Sequence, residues 1–194
     1  MIVLGLTGSI GMGKTTAARI FRQLGVPVFD ADRCVHDLYE GAAVEPLARI
    51  FPTAIQEGRI NRNELGVLVL ADAEGMSKLE NVVHPLVQAQ RAKFLDMMRI
   101  KGRALAVVDV PLLFETGGSA DVDGIVVVSA RECEQRERVL SRPGMDEAKL
   151  AAILKRQLPD AEKRRRAHFI VQTSRSIAST KRQLMTIIAC ILNR

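Results

Sequence analysis

The sequence predicts an α/β fold on a parallel sheet, and three observations carry that expectation. Short Val/Ile/Leu-rich runs alternate with amphipathic helical stretches along the chain. Those runs are continuously apolar, as expected of strands covered by helices on both faces. A glycine-rich turn joins the first run to the first helix, the arrangement that places ligands at the carboxyl edge of an open sheet.

The elements follow in order. Ile2-Val3-Leu4-Gly5-Leu6 reads as a buried strand. Lys14 to Leu24 reads as a helix with Ala17, Ile20, Phe21 and Leu24 on one face, stopped by Gly25. Val26 to Phe29 is a short second strand ending at Asp30. The spacing of Asn61 and Glu64 predicts a capped helix to about Ala71, and that of Ser77 and Glu80 a second one to about Lys101. His84-Pro85 is expected to interrupt the latter, because proline lacks a donor and crowds the preceding turn. Strands resume at Ala104 to Asp109 and Gly124 to Ser129. Helices then follow at Arg131 to Ser141, up to a break at Pro143-Gly144, and at Asp146 to Leu158. His168 to Gln172 reads as the fifth strand, and Ser174 or Ser176 can cap a last helix to Asn193.

At 194 residues, the chain is long enough to bury a sizeable core as one domain. Its hydrophobic fraction of 47% and charged fraction of 26% are those of a globular protein. With no Trp and one Tyr, a nucleic-acid surface built on aromatic stacking is not expected. Cys34, Cys133 and Cys190 are too widely spaced for a short metal motif, and their odd number argues against a disulfide framework. Met1 to Leu6 lacks the length and basic flank of a signal peptide, and no apolar stretch reaches membrane-span length. A cytoplasmic protein with no membrane partner is therefore expected. The net charge of +6 suits anionic small molecules, and the run Lys163 to Arg166 reads as a solvated helix end.

Gly8-Ser9-Ile10-Gly11-Met12-Gly13-Lys14-Thr15 matches G-x-x-x-x-G-K-[ST], the phosphate-binding loop. Glycines let backbone N–H groups curl around phosphate oxygens, and the helix that follows aims its positive end at the same anion. Gly8, Gly11, Met12, Gly13, Lys14, Thr15 and Thr16 are accordingly the expected ATP-binding set. Lys14 would reach the β- and γ-phosphates, and the Thr15 hydroxyl would ligate Mg2+. The absence of N-K-x-D sets switch GTPases aside. A helical excursion after the second strand suits a kinase that closes over its substrate.

Beyond the loop, the sequence resembles the dephospho-coenzyme A kinase family almost end to end. The resemblance rests on Gly5-Leu6-Thr7-Gly8, Asp30-Ala31-Asp32, Gly58-x-Ile60-Asn61-Arg62-x-x-Leu65, Leu79-Glu80 and Val83-His84-Pro85-Leu86-Val87. It continues through Asp109-Val110-Pro111-Leu112-Leu113-Phe114-Glu115, Gln135-x-x-Arg138-x-x-x-Arg142 and Gln157. Met12, Leu70, His168 and Gln172 stand where the family often has Ser, Phe, Asp and Asn. The family implies a three-layer P-loop kinase fold with a five-stranded parallel sheet, a helical substrate lobe and a helical lid. The expected core is about 1–35, 102–130 and 167–194, with the lobe at about 36–101 and the lid at about 131–166. The implied reaction moves the γ-phosphoryl of ATP to the ribose 3′-hydroxyl of dephospho-coenzyme A.

Asp32, just past the second strand, is the expected catalytic base and substrate contact, with Asp30 as the competing helix cap. Asp109 ends the third long strand and is the expected Mg2+ holder, directly or through water. Lys14 and Arg142 are the expected charge-stabilising groups, Arg142 lying beside the Pro143-Gly144 hinge. Arg62, His84 and Arg138 complete the expected substrate contacts; for Arg138 the alternative is an i,i+4 surface pair with Glu134. No role is assigned to Glu115. Two rivals remain: another small nucleotide or metabolite kinase, and a non-catalytic ATP-binding regulatory module. A monomer or weak homo-oligomer without nucleic acid is expected.

Overall fold

Five strands make the main sheet of the computed structural model, which describes residues 1–72 and 74–193. They are β1 (Ile2–Thr7), β2 (Val28–Asp30), β5 (Leu105–Asp109), β6 (Gly124–Ser129) and β7 (Phe169–Gln172), in the order β2-β5-β1-β6-β7. β1 pairs in parallel with β5 and β6, in the registers Leu4↔Val107 and Leu6↔Val126, and β6 pairs in parallel with β7. The expected α/β architecture is present.

Continuous apolar runs suit this sheet because its residues point alternately to two covered faces. Leu4, Leu6, Leu105, Val107, Val126 and Val128 join Ala17, Ile20 and Phe21 of α1 (Lys14–Gln23) and Leu184, Ile187 and Ile191 of α9 (Ile177–Leu192). Ile125 and Val127 turn the other way, onto Leu113, Val110 and Phe114. Each fully buried Leu, Ile or Phe contributes about 1.5–3 kcal/mol. The α1 helix stops where its sequence says. Gly25 is left-handed (φ 78°), its N–H bonds the Arg22 carbonyl, and the Val26 N–H bonds that of Phe21.

The chain divides into two compact units, Met1–Phe29 with Met98–Arg194, and Asp30–Met97. The second contains α2 (Ala31–Tyr39), α3 (Val44–Ala48), a hairpin of β3 (Ile55–Gln56) and β4 (Arg59–Ile60), and α4 (Arg62–Ala71). It also holds most of α5 (Gly75–Ile100). The α2 and α3 helices and the hairpin were not expected: the elements are too short for periodicity to show them. Asn61 caps α4 by accepting from the N–H groups of Asn63 and Glu64. The reciprocal half of the box does not form, because the Asn61 N–H goes to the Ala54 carbonyl.

Two expectations fail along α5. The helix runs unbroken through Pro85, where only one i−4 bond, to the Asn81 carbonyl, is forfeited. Asn81 is exposed, so water can satisfy that oxygen. Ser77 is not the cap either, because α5 already begins at Gly75 and the Asp72 carboxylate accepts from the Glu74 N–H.

Past β6 lie α6 (Glu132–Leu140), α7 (Glu147–Lys155) and α8 (Asp160–Arg166). Ser176, not Ser174, caps α9, accepting from the Ser179 N–H. The basic run falls on α8, but Lys163 is not solvated: it is wholly buried, its Nζ 2.9 Å from Glu115 Oε1. Among the described residues no helix is long and apolar enough to cross a membrane.

Candidate active site

The loop Gly8 to Gly13 leaves the carboxyl end of β1 and runs into α1. Gly11 and Gly13 are left-handed, with φ of 76° and 91°. Gly8 answers a different demand: a Cβ there would lie 2.4 Å from Val128 Cγ2 and 2.7 Å from the Val128 carbonyl. The start of α1 has no side-chain cap and no acidic residue in its first turn. Its N–H groups and dipole therefore offer a site for anionic oxygens.

Side chains hold three consecutive loop carbonyls. Gln135 Nε2 donates to the Ile10 carbonyl (2.7 Å), and Thr173 Oγ1 to that of Met12 (2.7 Å). Arg138 makes a longer contact of 3.4 Å with the Gly11 carbonyl and donates to the Thr173 carbonyl at 2.8 Å. A peptide is planar and trans, so each carbonyl turned one way turns the next N–H the other. The N–H groups of Gly11 and Gly13 thus point away from these partners, while that of Met12 bonds the Ser9 carbonyl within the loop. The Ile10 N–H is bonded too, to Gln157 Oε1 at 3.0 Å. The Met12 side chain lies in the core, its sulfur 3.0 Å from the Ala130 nitrogen.

Lys14 Nζ lies 2.7 Å from Asp109 Oδ1, with 15% and 4% of the two side chains exposed. The sequence placed Lys14 at the phosphates and Asp109 at the Mg2+, and the two meet directly. Thr15 and Thr16 occupy the first turn of α1. Beyond Asp109, the Pro111 carbonyl accepts from Thr7 Oγ1 at 2.9 Å and lies 3.5 Å from Lys163 Nζ. Glu115 Oε1 accepts from both Lys163 and the Leu158 N–H (2.7 Å). Burial pushes the Glu115 carboxyl up, but the bonds from Lys163 and the Leu158 N–H outweigh it and hold the group below its ordinary value.

Arg138 does not form the surface pair with Glu134 that was its alternative: its guanidinium turns to Gly11 and Thr173, and Glu134 bonds Arg131. Arg142 is exposed in the turn after α6, where the Met145 N–H bonds its carbonyl and Gly144 has φ 74°.

In the unit Asp30–Met97, Asp30 is the cap of α2, its Oδ1 accepting from the Arg33 N–H at 3.0 Å. Asp32 sits in the first turn of that helix and is exposed. The cap role weighed against Asp32 is thus filled by its neighbour. The Arg62 guanidinium lies 5.5 Å above the Tyr39 ring, a cation–π arrangement. Burial raises the Tyr39 phenol, with Arg62 pulling it back. His84 is exposed on α5.

The brace made by Gln135, Gln157 and Thr173 was missed as a functional set. Gln135 and Gln157 were visible only as parts of the resemblance, and nothing in spacing says that glutamines 22 positions apart meet the backbone of one residue. Thr173 carried no signal at all.

A family model described as dephospho-CoA kinase matches residues 2–179. The dephospho-CoA kinase of Brucella melitensis is 53% identical over 188 residues, spanning 97% of this chain and 94% of that protein. Among solved structures, TT1252 from Thermus thermophilus is 35% identical with a TM-score of 0.86, covering 97% of this chain and 96% of that one. The dephospho-CoA kinase from Campylobacter jejuni is 27% identical with a TM-score of 0.74, over 97% and 96% of the two chains.

Proposed function

The chain belongs to the dephospho-CoA kinase family, and from that premise we propose that it transfers the γ-phosphoryl of ATP to the ribose 3′-hydroxyl of dephospho-CoA. CoA and ADP are the products, and the reaction is the last step of CoA synthesis. The observation that carries the reading is the Lys14–Asp109 pair at 2.7 Å beside a loop whose Gly11 and Gly13 N–H groups are left for an anion.

The N–H groups of Gly11, Gly13, Lys14, Thr15 and Thr16 hold the phosphates, with Gly8 and Met12 shaping the loop. Lys14 has three donors, so it can keep Asp109 while reaching the β- and γ-oxygens. Among the described residues no cluster of three His, Cys, Asp or Glu could hold a metal unaided. A hydroxyl from Thr15 and a carboxylate from Asp109, completed by phosphate oxygens and water, fit Mg2+, which keeps most of its water. Bound there, Mg2+ would neutralise charge on the β- and γ-phosphates.

Asp32 accepts the proton of the 3′-hydroxyl as its oxygen attacks the γ-phosphorus. The bond from that phosphorus to the bridging oxygen breaks, and its electron pair leaves on ADP. Lys14 and Arg142 offset the charge that moves onto the leaving group, and Arg138 adds positive charge while bracing the loop. Arg62 and His84 contribute to holding the acceptor.

A coupled ADP-release assay with ATP, Mg2+ and dephospho-CoA beside a panel of nucleoside monophosphates tests this. ADP release with dephospho-CoA alone, and a single added phosphate on its ribose by mass spectrometry, is the expected result. Release only with a monophosphate would replace the acceptor, and ATP binding without release would favour a regulatory module.

A further inference from the structure

Two neutral amide side chains grip one residue of the phosphate loop, Ile10, through the two successive peptide groups that flank it. Gln135 Nε2 donates to the Ile10 carbonyl at 2.7 Å, and Gln157 Oε1 accepts from the Ile10 N–H at 3.0 Å. Gln135 stands on α6 and Gln157 just beyond α7, so the segment between them is tied to the loop at both ends. Gln157 is itself held: the next residue, Leu158, gives its N–H to Glu115 (2.7 Å), which is anchored on the buried Lys163. Through the Pro111 carbonyl that anchor also reaches the strand end bearing Asp109, although at 3.5 Å the contact is long.

We propose that Gln135 and Gln157 are positioning residues that fix the peptide groups on either side of Ile10 and thereby aim the Gly11 N–H at the ATP phosphates. The inference rests on reading this loop as the ATP cradle. Fixing the Ile10 carbonyl fixes the plane that contains the Gly11 N–H, and removing the Ile10 N–H from play leaves it no competing anion contact. Glutamine suits the task because one uncharged group type can donate to the carbonyl and accept from the N–H. A carboxylate or ammonium in either place would add charge beside the phosphates.

The test is calorimetric titration of the full chain with ATP and Mg2+, without acceptor, alongside steady-state kinetics. Gln157→Met keeps the length and removes the acceptor; it should weaken ATP about threefold to tenfold, the weight of one hydrogen bond. The KM for dephospho-CoA and kcat at saturating ATP should change less than about twofold. Gln135→Met should act in the same direction. Because both glutamines hold the backbone of one residue, the double variant should lose less than the product of the single losses, as expected for coupled groups. Amide exchange at Ile10, followed by NMR, should quicken in Gln157→Met while the melting temperature stays near that of the parent.

Gln135 is buried and its variant could misfold, but Gln157 is half-exposed and carries the test alone. Unchanged ATP affinity in Gln157→Met, or equal rises in both KM values, would overturn the proposal. Strictly multiplicative losses in the double variant would overturn it as well. If the parent binds ATP but leaves dephospho-CoA unchanged, the assigned acceptor falls while calorimetry still decides the role of the glutamines.

Discussion

The candidate residues of the two units live under different physical conditions. In Met1–Phe29 with Met98–Arg194, the pairs that brace the phosphate loop and its surroundings are buried or half-buried: Lys14 to Asp109, Lys163 to Glu115, Thr173 to Met12. In Asp30–Met97 the candidates Asp32, Arg62 and His84 are all exposed. A phosphate cradle must be aimed before its ligand arrives, since reorganising buried dipoles during the reaction would raise the barrier. Residues that meet a substrate can stay hydrated until it binds. Breaking the buried Lys14–Asp109 pair of the first unit should therefore change stability and activity together, and substituting the exposed Asp32 or Arg62 of the second activity alone.

The largest expected effect tests the second half of that statement. Asp32→Asn should lower kcat by about 10²–10⁴-fold with ATP affinity and melting temperature kept. Asp30→Ala should instead cost about 1 kcal/mol of stability, as loss of a helix cap. A stability loss in Asp32→Asn with normal kcat would erase the contrast.

Lys14→Ala should reduce turnover about 10²–10³-fold and also lower the melting temperature, because the buried Asp109 carboxylate loses the cation 2.7 Å from it. Adding Asp109→Asn should recover the melting temperature without the turnover. Recovery of both would mean the pair is structural. Gly8→Ala should destabilise by about 1–3 kcal/mol, since its Cβ meets Val128 backbone as well as side chain; a calorimetric scan reads this directly.

Arg62→Ala should raise the KM for dephospho-CoA about tenfold, near 1.4 kcal/mol, with the KM for ATP and the melting temperature unchanged. A fall in melting temperature instead would make the Tyr39 contact its purpose. The smallest effect concerns acid. Glu115 is held below its ordinary 4.5, so the unfolded chain takes up that proton at higher pH than the folded one. Its contribution is complete above about pH 4.5 and is lost as pH falls through the lower folded value. Glu115→Gln should flatten that part of the stability curve in urea titrations. An unchanged curve would mean that Glu115 titrates alike in the folded and unfolded chain.

Much of the first unit was legible because it depends on local rules. The loop spacing, the stop at Gly25 and the apolar strands each follow from a few neighbouring residues. Less of Asp30–Met97 was. Pro85 was read as a break, yet one proline costs a helix of this length only one bond where water can replace it. Asp30 and Asp32 could both have been the cap, and backbone geometry decided for Asp30.

The sequence by itself determined the α/β alternation, the phosphate loop and the family, because periodicity and short motifs are properties of the chain at close range. Only the tertiary structure decided that Lys163 leaves its basic run for a buried bond to Glu115, and that Gln135 and Gln157 hold the backbone of one residue, Ile10. Those partners are dozens to more than a hundred residues away. A buried charge or loop amide is satisfied by whatever the fold brings within about 3 Å, which no local pattern records.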